Sequence, residues 1–371
     1  MRIGIPRESS RNEHRVGLTP FAVQSLCKAG NEVYVEHEAG TDCLFSDDDY
    51  TQAGAKVVYN TDEVFGRADL VCRIGSLTND EIDMLQPNGA VCGFLQLAVA
   101  PRDNITRLIE KRITAVGYEL VERKGRRTVL VALAEIAGRL AIHSAAHLLQ
   151  TGQGGRGLLL GGVPGIPPAT VVVLGAGTGG LAAAKLAAAC GAHVIILDAD
   201  IDRLRQAQTE VPGQPATSLA SERNISRFTA IADVLVGAAL TPGASSSVVV
   251  TEKMVERMKP GSVIYDMSIG LGGCIETSRP TTLEDPTFQL HGVTHFCVPN
   301  MTAAVPRTAS RATTASALPY LTALCERGVD VALREDPGLA RGIYIHRGKV
   351  PHPNVARLAG VDPTPLAKLF D

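Results

Sequence analysis

The strongest constraint on this chain is a run of four apolar residues, Val171, Val172, Val173 and Leu174, that opens directly into Gly175-Ala176-Gly177-Thr178-Gly179-Gly180. An uninterrupted apolar run predicts a parallel strand covered on both faces. The glycines at 175, 177 and 180 have G-x-G-x-x-G spacing, and residues 181–191 are alanine-rich and end on Gly191, which predicts a helix with a glycine stop. Residues 193–197 form a second apolar strand that ends on Asp198. In this order the three glycines allow a tight turn, close approach of a pyrophosphate, and close packing of helix on strand. The pyrophosphate would rest on the free N–H groups at the helix start. Asp198, roughly twenty residues past the first glycine, would accept hydrogen bonds from the adenosine ribose. Its charge would repel a 2′-phosphate, so the pattern predicts NAD(H) over NADP(H), with Arg203 close enough to soften the preference. A lone glycine motif is a common strand-to-helix turn; the full strand, glycine, helix, strand and acid order is far more specific.

The 371 residues suffice for two domains of ordinary size. The formal charge of −2 provides no strong field for nucleic acid or an anionic membrane. No apolar run reaches spanning length without a charge or a proline. The eight cysteines are scattered singly, without a C-x-x-C, which points to reduced thiols and a cytoplasmic setting.

Residues 1–130 alternate apolar strands with helical segments. The strands are expected at 3–5, 32–35, 69–74, 90–95 and 114–118, and one helix at 20–29, giving an α/β domain with a mostly parallel sheet and no glycine fingerprint of its own. A long helix is expected over 134–150, with His143 and His147 one turn apart. No third ligand accompanies that pair, so no metal site is assigned. Further strands at 234–236 and 262–265 extend the nucleotide unit, a second long helix runs from about 306 to 327, and polar loops and short helices follow. The two long helices bracket the nucleotide domain as an insertion. The expected division is 1–130 plus 308–371 for one domain and 131–307 for the other.

Several segments together carry a resemblance. Ile3-Gly4-Ile5-Pro6-Arg7-Glu8 leads to Glu13-His14-Arg15-Val16. Gly154-Gly155-Arg156-Gly157 leads to Gly161-Gly162-Val163-Pro164-Gly165. Gly272-Gly273-Cys274 precedes Ser278-Arg279-Pro280, and Pro299-Asn300-Met301 precedes Val305-Pro306. Over essentially its whole length the chain resembles the alanine dehydrogenase family and, more distantly, the nucleotide-binding subunit of proton-translocating transhydrogenase. The resemblance implies an α/β fold of two Rossmann-like domains with parallel sheets, joined by two long helices, with the active-site cleft between them. It also implies NAD as cofactor, a small carboxylate substrate and a homohexamer. It places Arg15, Gln96 and Asn300 at the substrate. Thr178, Gly179, Ala239, Leu240, Met267 and Met301 join Gly175, Gly177, Gly180, Asp198 and Arg203 at the cofactor.

Three positions depart from the family. Gly75 stands where the family has a substrate-binding lysine, Gln96 where it has the catalytic histidine, and Gly270 where it has an aspartate. Oxidative deamination needs a base as the imine forms and to activate water. Gln96 exchanges hydrogen bonds but does not titrate, so no catalytic residue is assigned and efficient alanine deamination is not expected. Arg15 remains as a two-pronged anchor for a carboxylate. The expected activity is oxidoreduction of an amino, imino or 2-oxo acid. The alternatives are a lyase or cyclisation with transient hydride transfer, and a non-catalytic NAD-binding module. His14, Arg73 and Glu119 are candidates to replace the missing groups. The transhydrogenase's Arg-Ala-Gln loop and following aspartate have no counterpart in residues 126–131, which begin Arg126-Arg127-Thr128.

Overall fold

A computed structural model describes residues 1–239 and 248–370. The chain divides into two compact units, Met1–Leu133 with Ala303–Asp371, and Ala134–Thr302.

The first unit begins with strands β1 (Arg2–Ile5), β2 (Glu32–Glu36), β3 (Lys56–Val58), β4 (Leu70–Cys72), β5 (Ala90–Gly93) and β6 (Thr114–Gly117). The second contains β7 (Thr170–Leu174), β8 (His193–Asp198), β9 (Ala216–Leu219), β10 (Val234–Gly237), β11 (Val263–Asp266), β12 (Thr287–Leu290) and β13 (Val293–Phe296). The chain then returns to the first unit and adds β14 (Ile343–Ile345).

The first sheet has the order β14-β6-β5-β4-β1-β2-β3 and is parallel except at β14, which runs antiparallel to β6. The second has the order β12-β13-β11-β10-β7-β8-β9 and is parallel except for the β12–β13 pair. This is the expected α/β architecture of two Rossmann-like units.

The glycine-bearing strand illustrates why its residues are all apolar. Val171 and Val173 enter one core cluster, with Ala183 and Ala187 of the following helix, whereas Val172 and Leu174 enter another, with Ile225 and Met254. Successive side chains point to opposite faces, so only a continuous apolar run can bury both. At about 25 cal/mol per Å² of apolar surface, each fully buried valine or leucine contributes roughly 1.5–3 kcal/mol. In the first unit, Val64, Phe65, Ile105 and Leu108 from two helices cover β4 to β6 through Val71, Val91 and Ala115.

Strands β3, β9, β12 and β13 add to those expected, and two further elements differ from the expectation. The first long helix spans Thr128–Leu148, starting well before residue 134 and ending before 150. Its opening residues include the β-branched Thr128, Val129 and Val131, poor helix formers whose propensity is overridden by burial of Val129 and Leu133. This helix is also long and apolar enough to cross a membrane by length and composition. It carries Glu135 and Arg139, and Ala137, Ala141, Ala145 and Leu148 lie in the core of the second unit. The C-terminal tail, read as loops and short helices, supplies β14; three apolar residues between Gly342 and the His346 turn are too few to show a period.

Candidate functional site

The turn after β7 is built by the backbone demands of its glycines. Gly175 has φ +100°, and a Cβ there would stand 2.6 Å from the Ala238 carbonyl oxygen. A Cβ on Gly180 would fall 1.8 Å from the carbonyl oxygen of Gly175, so helix and turn pack backbone to backbone. Gly177, by contrast, precedes the helix Thr178–Ala189, and a Cβ there would find nothing within 4 Å among the described residues. No described neighbour therefore demands glycine there, and the position leaves open backbone at the helix N-terminus.

Asp198 ends β8 and is 8% exposed. Its Oδ2 accepts the Ala176 N–H at 2.7 Å and its Oδ1 the Asp200 N–H at 2.9 Å. A carboxylate has about four acceptor sites, so capacity remains for ribose hydroxyls. Arg203 lies 3.9 Å from Asp198 and 3.8 Å from Asp200, a position from which it tempers the local negative charge.

Thr178 is exposed at the helix start. Met267 brings its Cε to 2.8 Å from the position of a Gly179 Cβ and donates its N–H to Gly237. Ala239, just beyond β10, is half-buried, and Met301 is buried in the core cluster with Val173 and Tyr265. Leu240 lies outside the described residues. Asn300 is half-buried. His143 and His147 are both exposed.

The loop beyond β11 is held by Asp266, which is fully buried. Asp266 accepts from the Ser268 N–H (3.0 Å), the Ser268 hydroxyl (2.7 Å) and the Cys274 N–H (3.1 Å). Gly270 sits on that loop, exposed, within the short 3-10 turn Ile269–Leu271.

In the first unit the chemistry-bearing residues gather beyond the carboxyl ends of β1, β4, β5 and β6, where open α/β sheets bind ligands. Arg15 is 7% exposed and gives Nε and Nη2 to Glu13 at 2.6 and 2.5 Å. A substrate carboxylate would have to share that guanidinium with Glu13. Gly75 follows β4, and its N–H is accepted by Glu8 at 3.1 Å. Glu8 also accepts from Ile74 N–H at 2.6 Å and from Arg73 at 2.9 Å. Arg73 is 1% exposed and bonds Glu81 as well, at 2.6 Å. It is a cation buried between two carboxylates. His14 pairs with Asp42 at 2.7 Å.

Gln96 is exposed, with φ +48°, and its N–H donates to Glu119 Oε1 at 2.7 Å. The same carboxyl accepts the Tyr344 hydroxyl at 2.8 Å, and its Oε2 is shielded from solvent without a partner. Burial pushes the Glu119 carboxyl above its ordinary range, against the hydrogen bonds and the charge of Arg127. The His352 ring lies 5.1 Å from that of Tyr344, and its Nδ1 is buried without a partner among the described residues. Burial, then Arg127, lowers the His352 pKa. Sequence reasoning missed Tyr344 and His352, which reach this site from the far end of the chain and carry no local signal. Glu8 stood among the residues of the resemblance without a role.

The two doubly wound units, one with a glycine turn and acid arranged for a dinucleotide, define a protein of the Rossmann-type oxidoreductase class. Comparison with known proteins sharpens the class. The alanine dehydrogenase/PNT N-terminal domain matches residues 4–139 and the alanine dehydrogenase/PNT C-terminal domain matches 141–353. The chain is 40% identical to an alanine dehydrogenase of Mycobacterium tuberculosis and 38% identical to one of Methanococcus maripaludis, covering 100% of both chains in each case. A solved L-alanine dehydrogenase superposes with a TM-score of 0.91 at 39% identity, covering 96% of this chain and 99% of that one. A transhydrogenase from Sinorhizobium meliloti shares the fold, with a TM-score of 0.79 at 24% identity over 95% and 99% of the two chains. The chain belongs to the alanine dehydrogenase/PNT family of NAD-dependent oxidoreductases.

Proposed function

We propose that the chain is an NAD(H)-dependent oxidoreductase acting on a small amino, imino or 2-oxo acid, without efficient deamination of alanine. The observation that carries this reading is the combination of a complete dinucleotide turn with Gly75, Gln96 and Gly270 at the three positions where the family places lysine, histidine and aspartate. Arg15 anchors the carboxylate, with Gln96 and Asn300 as further substrate contacts. The cofactor is held by the turn 175–180, with Asp198 and Arg203 at the ribose and Ala239, Met267 and Met301 around the rest. NAD supplies a reversible hydride acceptor when bound.

The proton that must move with the hydride is assigned to Glu119. Burial raises its pKa, which favours the protonated form that can give a proton, and Tyr344 holds the carboxyl in place. The protein is expected to be cytoplasmic, from its singly scattered cysteines, and a homo-oligomer, as the resemblance implies.

A screen of amino acids, and of 2-oxo acids with ammonium, followed by nicotinamide absorbance, tests the reading. The expected result is turnover with at least one carboxylic acid and negligible alanine-dependent NADH formation. Confirmed NAD binding without hydride transfer to any acid would sink it. Product formed at constant NADH would instead identify the lyase or cyclase alternative, in which hydride returns to the same molecule. That alternative is favoured by the loss of the water-activating groups from a scaffold that keeps its cofactor turn.

A further inference from the structure

The helix Thr128–Leu148 is preceded by a tight hairpin, Glu122-Arg123-Lys124-Gly125-Arg126-Arg127. Arg123 and Arg126 exchange both backbone hydrogen bonds, at 2.8 and 3.0 Å. Lys124 and Gly125 both have positive φ, +52° and +76°, the pattern of a two-residue type I′ turn. The hairpin therefore sets two arginines directly opposite one another, an arrangement that destabilises a ladder when the charges are alike. The one acid of the segment, Glu122, is ion-paired with Arg341. Among the described residues no hydrogen bond or ion pair holds the side chains of Arg123, Lys124, Arg126 or Arg127. Four cations lie together in five residues of a chain whose formal charge is −2.

A cavity of about 490 Å³ opens here, lined by Arg123, Lys124, Arg126 and Thr128. Thr128 begins a 21-residue helix with no acid in its first turn, so the positive end of the helix dipole adds to the four cations. The volume falls in the range of small-molecule sites, roughly 300–1,000 Å³. The hairpin also begins three residues after Glu119 at the strand ends, and the charge of Arg127 works against the upward shift that burial gives Glu119.

We propose that this hairpin binds a dianionic phosphoryl group borne by the substrate at the end away from its 2-carboxylate. A dianion matches several converging donors and a helix N-terminus better than a single carboxylate does. The inference rests on the reading of the substrate as a small carboxylic acid and adds its second anionic group.

The test is calorimetric titration of the full-length protein, with and without NAD, using 3-phosphohydroxypyruvate, hydroxypyruvate and inorganic phosphate as probes. The variant R123Q/R126Q changes two exposed side chains and keeps the backbone bridge; Lys124→Gln serves as a second variant, and circular dichroism checks the fold of each. The wild type is expected to bind the phosphorylated acid at least about tenfold tighter than hydroxypyruvate. The double variant should lose roughly 5–30-fold for the phosphorylated acid and less than about twofold for hydroxypyruvate, and inorganic phosphate should compete with the phosphorylated acid. No binding of the phosphorylated acid, equal binding of the two acids by the wild type, or equal binding of the phosphorylated acid by wild type and both variants overturns the proposal. Free phosphate binding without a preference for the phosphorylated acid also overturns it. Because the readout is equilibrium binding, loss of the redox reading leaves the hairpin result standing. Unchanged variant affinities in an enzyme that turns over carboxylic acids would defeat the hairpin proposal alone.

Discussion

Restoring the family's ionisable groups is the most demanding test of the proposed change in chemistry. The perturbation is the triple substitution Gly75→Lys, Gln96→His and Gly270→Asp. The structure can accept it. Neither Gly75 nor Gly270 has a positive φ, so a side chain brings no backbone strain. A Cβ at Gly75 would come 3.3 Å from Glu8 Oε2, which the end of that side chain can relieve by a few tenths of an ångström. At Gly270 the nearest atoms would be 3.7 and 3.8 Å away, ordinary contact with Pro299. Gln96 already occupies the left-handed region, which histidine enters more readily than most residues. Folding should therefore survive, with an unfolded-state gain of up to about 1 kcal/mol at each former glycine. A positioned acid–base group contributes roughly 10²–10⁴-fold, or about 2.7–5.4 kcal/mol of transition-state stabilisation. The triple variant should gain pyruvate amination by that factor over the wild type, and each single replacement far less, because members of a catalytic unit are strongly non-additive. The assay is pyruvate- and ammonium-dependent NADH oxidation, alongside thermal unfolding. Fast pyruvate amination by the wild type would refute the reasoning, and so would a folded, NAD-binding triple variant with no gain.

The second and third glycines of the cofactor turn should separate folding from binding. Gly177→Ala is expected to leave Tm unchanged and weaken NAD, whereas Gly180→Ala, aimed at a backbone carbonyl 1.8 Å away, should cost about 3 kcal/mol and lower both Tm and affinity. Equal Tm losses in the two variants would contradict the assignment. Asp198→Ala should weaken NAD roughly 10–100-fold through lost charge-assisted hydrogen bonds and narrow the gap to NADP; a wild type that binds NADPH as tightly as NADH would remove Asp198 from the ribose. Glu119→Gln should cut turnover by roughly 10²–10⁴-fold. Its stability effect has a defined sign: burial raises the folded pKa of Glu119, so the native state holds the extra proton and the wild type loses stability as pH rises from the ordinary carboxyl range through that raised pKa. The variant lacks this ionisation, so its Tm relative to wild type should climb across that window, and a flat difference would exclude it.

The nucleotide turn was legible because its glycines answer backbone demands that any sequence with this fold must meet locally. The parallel sheets were legible because strands buried on both faces are uniformly apolar, as Val171 to Leu174 are. The start of the helix Thr128–Leu148 was not, because its β-branched opening is stabilised by tertiary packing that no window of sequence contains. Strand β14 is too short to carry a period. The site of the first unit was legible only in part. Arg15, Gly75 and Gln96 could be placed by resemblance. The hydrogen bond from Tyr344 to Glu119 joins residues 225 positions apart, and nothing near either one announces it.

The three altered positions share a feature that lies in the structure and not in the changed side chains. Each sits on a turn whose backbone N–H groups are tied to a shielded carboxylate. Glu8 holds the N–H groups of Ile74 and Gly75, Glu119 holds that of Gln96, and Asp266 holds those of Ser268 and Cys274 on either side of Gly270. Hydrogen bonds are worth about 0.5–1.5 kcal/mol each, and about 1.5–3 where the carboxyl is charged, so these bonds favour the same course of each turn whatever side chain it carries. The framework that aims the three positions is thus supplied by other residues. Lysine, histidine and aspartate can be absent without the loops collapsing, and a changed substrate can be accommodated by substitution at the turns alone. The same separation of framework from side chain is why the triple substitution is expected to regain chemistry instead of requiring the site to be rebuilt.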